Sequence, residues 1–137
     1  MHPPWSMIFF TTLAGAAQGL LLALVGIELG ATVGAIAPAP DNSLYITGAA
    51  IVLLFGAIGL VAATFHLGHP LRAWRSAAMW RTSWLSREII VLPAFLACVA
   101  LWSTMHWLGG ATLGWGLAAA VLALLLYLCT GMIYAAV

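Results

Sequence analysis

From position 7 to position 36 the chain reads MIFFTTLAGAAQGLLLALVGIELGATVGAI, with Glu28 as the one charged side chain. A run of that kind has few ways to fold. A bilayer core about 30 Å thick takes about 20 apolar residues as a helix, and a helix satisfies its own backbone polar groups where lipid offers none. Three further apolar runs follow, over about 44–66, 88–107 and 112–137. Only 5% of the residues are charged, where a soluble domain carries about 25%, and the mean hydropathy is +1.14. The expectation is an all-α integral membrane helix bundle, with four transmembrane helices in a single domain over 1–137. The opening MHPPWSMIFF has no Lys or Arg, and the apolar run behind it is too long for a cleaved signal peptide. It reads as a retained helix. At the other end YLCTGMIYAAV stops at Val137 without the basic flank usual at a membrane helix terminus, so the expectation is a truncated bundle.

Two of the connections are short. APAPDNS (37–43) is a polar turn rich in Pro, Asp and Asn, with Ser43 expected to cap the second helix. HWLGGAT joins the third and fourth spans. In the first span Gly15, Gly19, Ala23, Gly26, Gly30 and Gly34 recur at intervals of three or four. Such a stripe of small residues lets membrane helices approach closely, and it is the expected packing face. Gly and Ala are also simply common in membrane helices.

Charge is concentrated in one place. All four basic residues, Arg72, Arg75, Arg81 and Arg87, lie in the connection after the second span, and Glu88 follows them. Basic residues near the ends of short loops stay on the cytoplasmic side, so the 67–87 loop is expected there, with APAPDNS and HWLGGAT on the other side. Trp74, Trp80 and Trp84 suit the headgroup layer, and RAWRSAAMW suits a short helix lying in the interface. A single short basic block without lysine does not indicate nucleic acid. Cys98 and Cys129 stand alone in apolar runs, which argues against an intrinsic Cys-ligated zinc or iron–sulfur site. No metal site is expected.

The four histidines raise the question of haem. Two axial imidazoles must lie at one depth on different helices. His66 ends the second span at the arginine loop, whereas His106 ends the third on the far side, about 30 Å away. They cannot share one haem, and no haem is expected. A different group does gather at the arginine-loop boundary: His66, Arg72, Arg75, Arg87 and Glu88. Quinol oxidation releases two protons and two electrons. Its site needs a hydrogen-bond acceptor, a proton exit and an apolar slot, and His and Glu supply the first two. Against that stands a plain reading with equal weight. Glu88 at a helix N-terminus and His66 at a C-terminus are both stabilised by the helix dipole. Glu28 lies within the first span and is expected to face the bundle, either on a proton path or as a neutral hydrogen-bonded acid. Gln18 is expected to make an interhelical hydrogen bond.

These residues also carry a resemblance. HPPWSMIFFTTLAGAAQG, FHLGHPLRAWRS, TSWLSREI and CTGMIYA together resemble the membrane anchor subunits of dimethyl sulfoxide reductase-type complexes, sulfite dehydrogenase-type anchors included. The resemblance covers nearly the whole chain. It implies an eight-helix anchor without haem, of which this chain has the N-terminal four helices. It also implies a bacterial inner-membrane location and two partners, a four-cluster ferredoxin-like iron–sulfur subunit and a molybdopterin catalytic subunit. The implied activity is electron exchange between the quinone pool and the nearest iron–sulfur cluster. The histidine of HLG and the glutamate of LSREI, His66 and Glu88, are the positions tied to the quinol site, with Arg72 and Arg87 beside them. Arg75, Trp74, Trp80 and Arg81 are expected to form the docking platform for the iron–sulfur partner. A structural anchor without its own quinone site is the alternative; a small transporter fits less well, since Glu28 is its one hint.

Overall fold

The computed structural model describes residues 5–65 and 78–135. They form four helices: α1 (Trp5–Thr32), α2 (Asn42–Phe65), α3 (Trp84–Leu108) and α4 (Leu113–Ala135). Each is long and apolar enough to cross a membrane, and no strand occurs among the described residues. The interfacial helix expected at RAWRSAAMW lies mostly outside them, and residues 78–82 form a turn.

Helix ends are set by backbone chemistry rather than hydropathy. α1 stops at Thr32, short of the apolar run, because Gly34 takes a left-handed φ of 76°. The amides of Ala35 and Ile36 then bond back to the Gly30 carbonyl at 2.8 and 3.1 Å, a common glycine-closed C-terminus. The Ile36 side chain folds over Gly30, where a Cβ would meet it at 2.8 Å. α2 starts at Asn42, ahead of the expected Ser43 cap, with the Leu44 amide bonded to the Asp41 carbonyl at 3.0 Å. α3 starts four residues before the apolar run. Ser83 is extended (φ −125°, ψ 127°) and its hydroxyl accepts from the Ser86 amide at 3.4 Å, which satisfies an otherwise orphaned donor. Gly109, at φ 71°, closes the other end.

Short turns make α1 and α2, and likewise α3 and α4, antiparallel, and the four close into a ring: α1 packs on α2 and α4, and α3 packs on the same two. The buried positions of α1 run Phe10, Ala14, Ala17, Leu21, Leu24 and Glu28, the spacing of one helix face. They meet Ala49 and Val52 of α2, Phe95 and Val99 of α3, and Ala123 and Leu126 of α4. Lipid tails are as apolar as these side chains, so what holds the ring is close packing and a few polar bonds.

The expected glycine stripe is not the packing face. Gly19, Ala23 and Gly26 of α1 face outward, and a Cβ at Gly15 or Gly26 would meet nothing within 4 Å. Close approach comes from α2 instead. Gly48 lies under Leu24, Gly56 under Leu96, and Gly59 against the α1 backbone at Phe10 and Ala14. The physical reason is volume: a central space must be filled, and the larger face of α1 fills it while α2 supplies the hollows. Gly15 and Gly19 keep one role. The Tyr127 hydroxyl donates to the Gly15 carbonyl at 3.0 Å and lies 3.6 Å from where a Cβ of Gly19 would be.

Candidate functional site

Two buried carboxylates mark the two ends of the ring. Glu88 sits in the second turn of α3, 5% exposed, and accepts a hydrogen bond from Thr130 Oγ1 of α4 at 2.6 Å. It lines two cavities of about 40 Å³ each. One lies among Phe10, Leu60, Ala63, Leu85, Ile89 and Leu92; the other includes Met7, Thr11, Thr130 and Tyr134. A buried oxygen acceptor thus opens onto an almost wholly apolar slot where α1, α2 and α3 meet at the arginine-loop end.

Arg87 is turned elsewhere. Its Nε donates to the Trp80 carbonyl at 2.9 Å, its Nη2 donates to the Arg81 carbonyl at 3.2 Å, and its guanidinium lies 4.1 Å over the Trp84 ring. It lines a larger groove of about 350 Å³ between α3 and α4, with Trp80, Trp84, Val91, Leu125 and Cys129. Helix neighbours do not share a face, so Glu88 and Arg87 line different cavities. Trp80 and Arg81 are exposed at this end, with the Arg81 guanidinium 5.4 Å over the Trp80 ring. His66, Arg72, Trp74 and Arg75 lie outside the described residues.

At the other end Glu28 has found its partners. Trp102 Nε1 of α3 donates to Oε2 at 2.8 Å, and Thr112 Oγ1, just ahead of α4, donates to Oε1. His106 Nε2 stands 3.3 Å from Oε1, without the alignment of a hydrogen bond. The imidazole Nδ1 lies 3.2 Å from Asn42 Oδ1. Tyr45 stacks on the imidazole at 4.5 Å and 16°, and Trp102 meets it edge-on at 5.0 Å. Gly116 of α4 makes the space, since a Cβ there would stand 2.9 Å from Trp102 Nε1. The sequence places Glu28 in the bundle and His106 at this end, but Trp102, Thr112, Asn42, Tyr45 and Gly116 were not anticipated. The one available signal was the i, i+4 spacing of Trp102 and His106, which puts both on one face of α3. Gln18 is buried, and its Oε1 acceptor has no hydrogen-bond partner among the described residues. Glu88 and His106 are separated by five turns of α3, about 27 Å at 1.5 Å per residue. The two carboxylate sites are therefore distinct. No group of three or more His, Cys, Asp or Glu suited to a metal ion occurs among the described residues.

Known proteins resemble this chain in sequence. The C subunit of sulfite dehydrogenase from Allochromatium vinosum is 48% identical over 151 aligned residues, which cover 100% of this chain and 46% of that protein. The anaerobic dimethyl sulfoxide reductase chain YnfH of Escherichia coli K12 is 32% identical over 98 residues, covering 72% of this chain and 33% of its own. The chain thus spans less than half the length of these curated relatives. No solved structure matches it. The family model described as DMSO reductase anchor subunit (DmsC) matches residues 1–137. The four membrane-length helices among the described residues suit a membrane anchor, and the chain belongs to the DmsC family of anchor subunits.

Proposed function

We propose that this chain belongs to the membrane anchor of a molybdenum and iron–sulfur oxidoreductase complex, and exchanges electrons with the quinone pool at its arginine-loop end. The observation that supports this is Glu88: a buried carboxylate, hydrogen-bonded to Thr130, facing an apolar slot between helices. Quinol oxidation sends two electrons to an iron–sulfur partner and two protons to the protein; quinone reduction runs the same steps backward. In this reading Glu88 accepts a proton from the bound ring, and Phe10, Leu60, Leu85 and Leu92 form the apolar walls. His66 serves as the second hydrogen-bonding group, with Arg72 and Arg87 supplying positive charge at the boundary. Arg75 and Trp74, together with the exposed Trp80 and Arg81, receive a four-cluster ferredoxin-like iron–sulfur subunit, which in turn contacts a molybdopterin catalytic subunit. The membrane is the bacterial inner membrane, with the 67–87 loop cytoplasmic by the distribution of arginine. No haem is assigned to the chain.

The test is Glu88→Gln, which keeps the size of the side chain and an acceptor for Thr130 but removes the proton acceptor. In membranes carrying the assembled complex, quinol-coupled turnover falls by at least about tenfold, roughly 1.4 kcal/mol. Turnover with a soluble dye donor that bypasses the anchor stays at the wild-type level. Normal quinol turnover in a normally assembled E88Q complex rejects a quinone site at Glu88 and favours a structural anchor.

A further inference from the structure

The Glu28 cluster at the far end is buried, polar and titratable, and electron exchange at Glu88 makes no use of it. We propose that Glu28 and His106 bind one exchangeable proton between them, so that the pair is electrically neutral and forms a proton-binding site opposite the arginine loop. Every element around the pair contributes to the argument. α1 brings Glu28; α2 brings Asn42 and Tyr45; α3 brings Trp102 and His106; the turn before α4 brings Thr112. At α4 itself the cluster meets Gly116, which carries no side chain. Asp41, next to Asn42, is exposed. The described arginines, Arg81 and Arg87, are at the opposite end of the bundle. His106 is therefore the counter-charge at hand for Glu28.

The hydrogen positions lead to the same place. Trp102 Nε1 is a donor only, so Glu28 Oε2 accepts from it. Nδ1 faces Asn42 Oδ1 at 3.2 Å, and because an amide oxygen only accepts, this contact is a hydrogen bond when Nδ1 carries the hydrogen. A neutral ring then has a bare lone pair at Nε2, 3.3 Å from the Glu28 Oε1 atom. Two acceptors facing each other inside a membrane bundle repel, and a lone carboxylate charge there is expensive. One proton removes both costs, either on the carboxylate, which leaves the ring neutral, or on Nε2, which makes an imidazolium–carboxylate pair. Exchange has a route. Asn42 is exposed on the far side of the imidazole, and Thr112 is half-buried with its hydroxyl on Glu28 Oε1.

Spectroscopy of the full chain in lipid nanodiscs near neutral pH tests the proton count directly. The chain has three acidic residues and four histidines. In a D41N/E88Q background Glu28 is the one acidic side chain, and infrared bands separate the acid from the carboxylate. In an H2Q/H66Q/H69Q background His106 is the one imidazole, and 15N resonances give its protonation. Bands of the unaltered protein, assigned by their loss in E28Q and H106Q, cross-check both backgrounds. The expected result is one proton on the pair: a carboxylic acid with a singly protonated ring, or a carboxylate with a doubly protonated ring. A carboxylate facing a singly protonated ring overturns the proposal, and so does an acid facing an imidazolium. Glu88 is five turns away along α3, so failure of the E88Q test leaves this proposal standing, and the reverse also holds.

Discussion

A methyl group at Gly116 would stand 2.9 Å from Trp102 Nε1 and 3.1 Å from Glu28 Oε2. The indole is fully buried and the carboxylate nearly so, so neither can yield without breaking the hydrogen bond between them. Gly116→Ala is expected to cost about 1–3 kcal/mol, the usual effect of overpacking, although alanine is the better helix former. Gly26→Ala, on the outward face of α1 with nothing within 4 Å, is expected to leave stability unchanged or raise it by up to about 1 kcal/mol. Unfolding of the two variants in detergent, measured side by side, checks the contrast. Trp102→Phe keeps most of the ring packing and deletes the N–H. Loss of a donor to a buried acid is expected to cost about 1–3 kcal/mol in the same assay.

At the scale of the element, α3 illustrates where sequence reading succeeds and where it stops. Its apolar run, from about 88 to 107, was legible from hydropathy, and the helix continues through Pro93. Its true start, Trp84, was not, because hydropathy records where lipid lies and a cap records where the backbone turns. The signal was present in Ser83 and Ser86, whose hydroxyl and amide meet at 3.4 Å. The shift matters, since it moves Glu88 from the helix terminus into its second turn. There the helix dipole is a weaker reason for a carboxylate, and Thr130 is its visible partner. Ser83→Ala is expected to lower stability by about 1 kcal/mol, with Ser83→Thr retaining most of it; thermal unfolding of the two variants decides this. The glycines of α1 teach the opposite lesson. Their spacing was plain in the sequence, but periodicity alone does not say which face a helix turns to its neighbours. The large residues one step around, Leu21 and Leu24, took the centre.

For the whole molecule, an antiparallel ring puts the APAPDNS and HWLGGAT turns at one end and the arginine loop at the other. In sealed vesicles, impermeant thiol reagents are expected to label D41C from one side and R81C from the opposite side, in a C98A/C129A background. Labelling of both from the same side rejects the topology. The four-helix architecture was readable because each crossing is a local property of some twenty residues. The Glu28 cluster was not, because its partners arrive from 74 and 84 residues away and only the closed ring brings them to one depth. That placement also gives the bundle two unlike ends. The Glu28 cluster ties α1, α2, α3 and the turn before α4 together at one end, and the cavities beside Glu88, with the Glu88–Thr130 bond, are at the other. A substitution in the Glu28 cluster therefore alters no residue that lines the cavities beside Glu88.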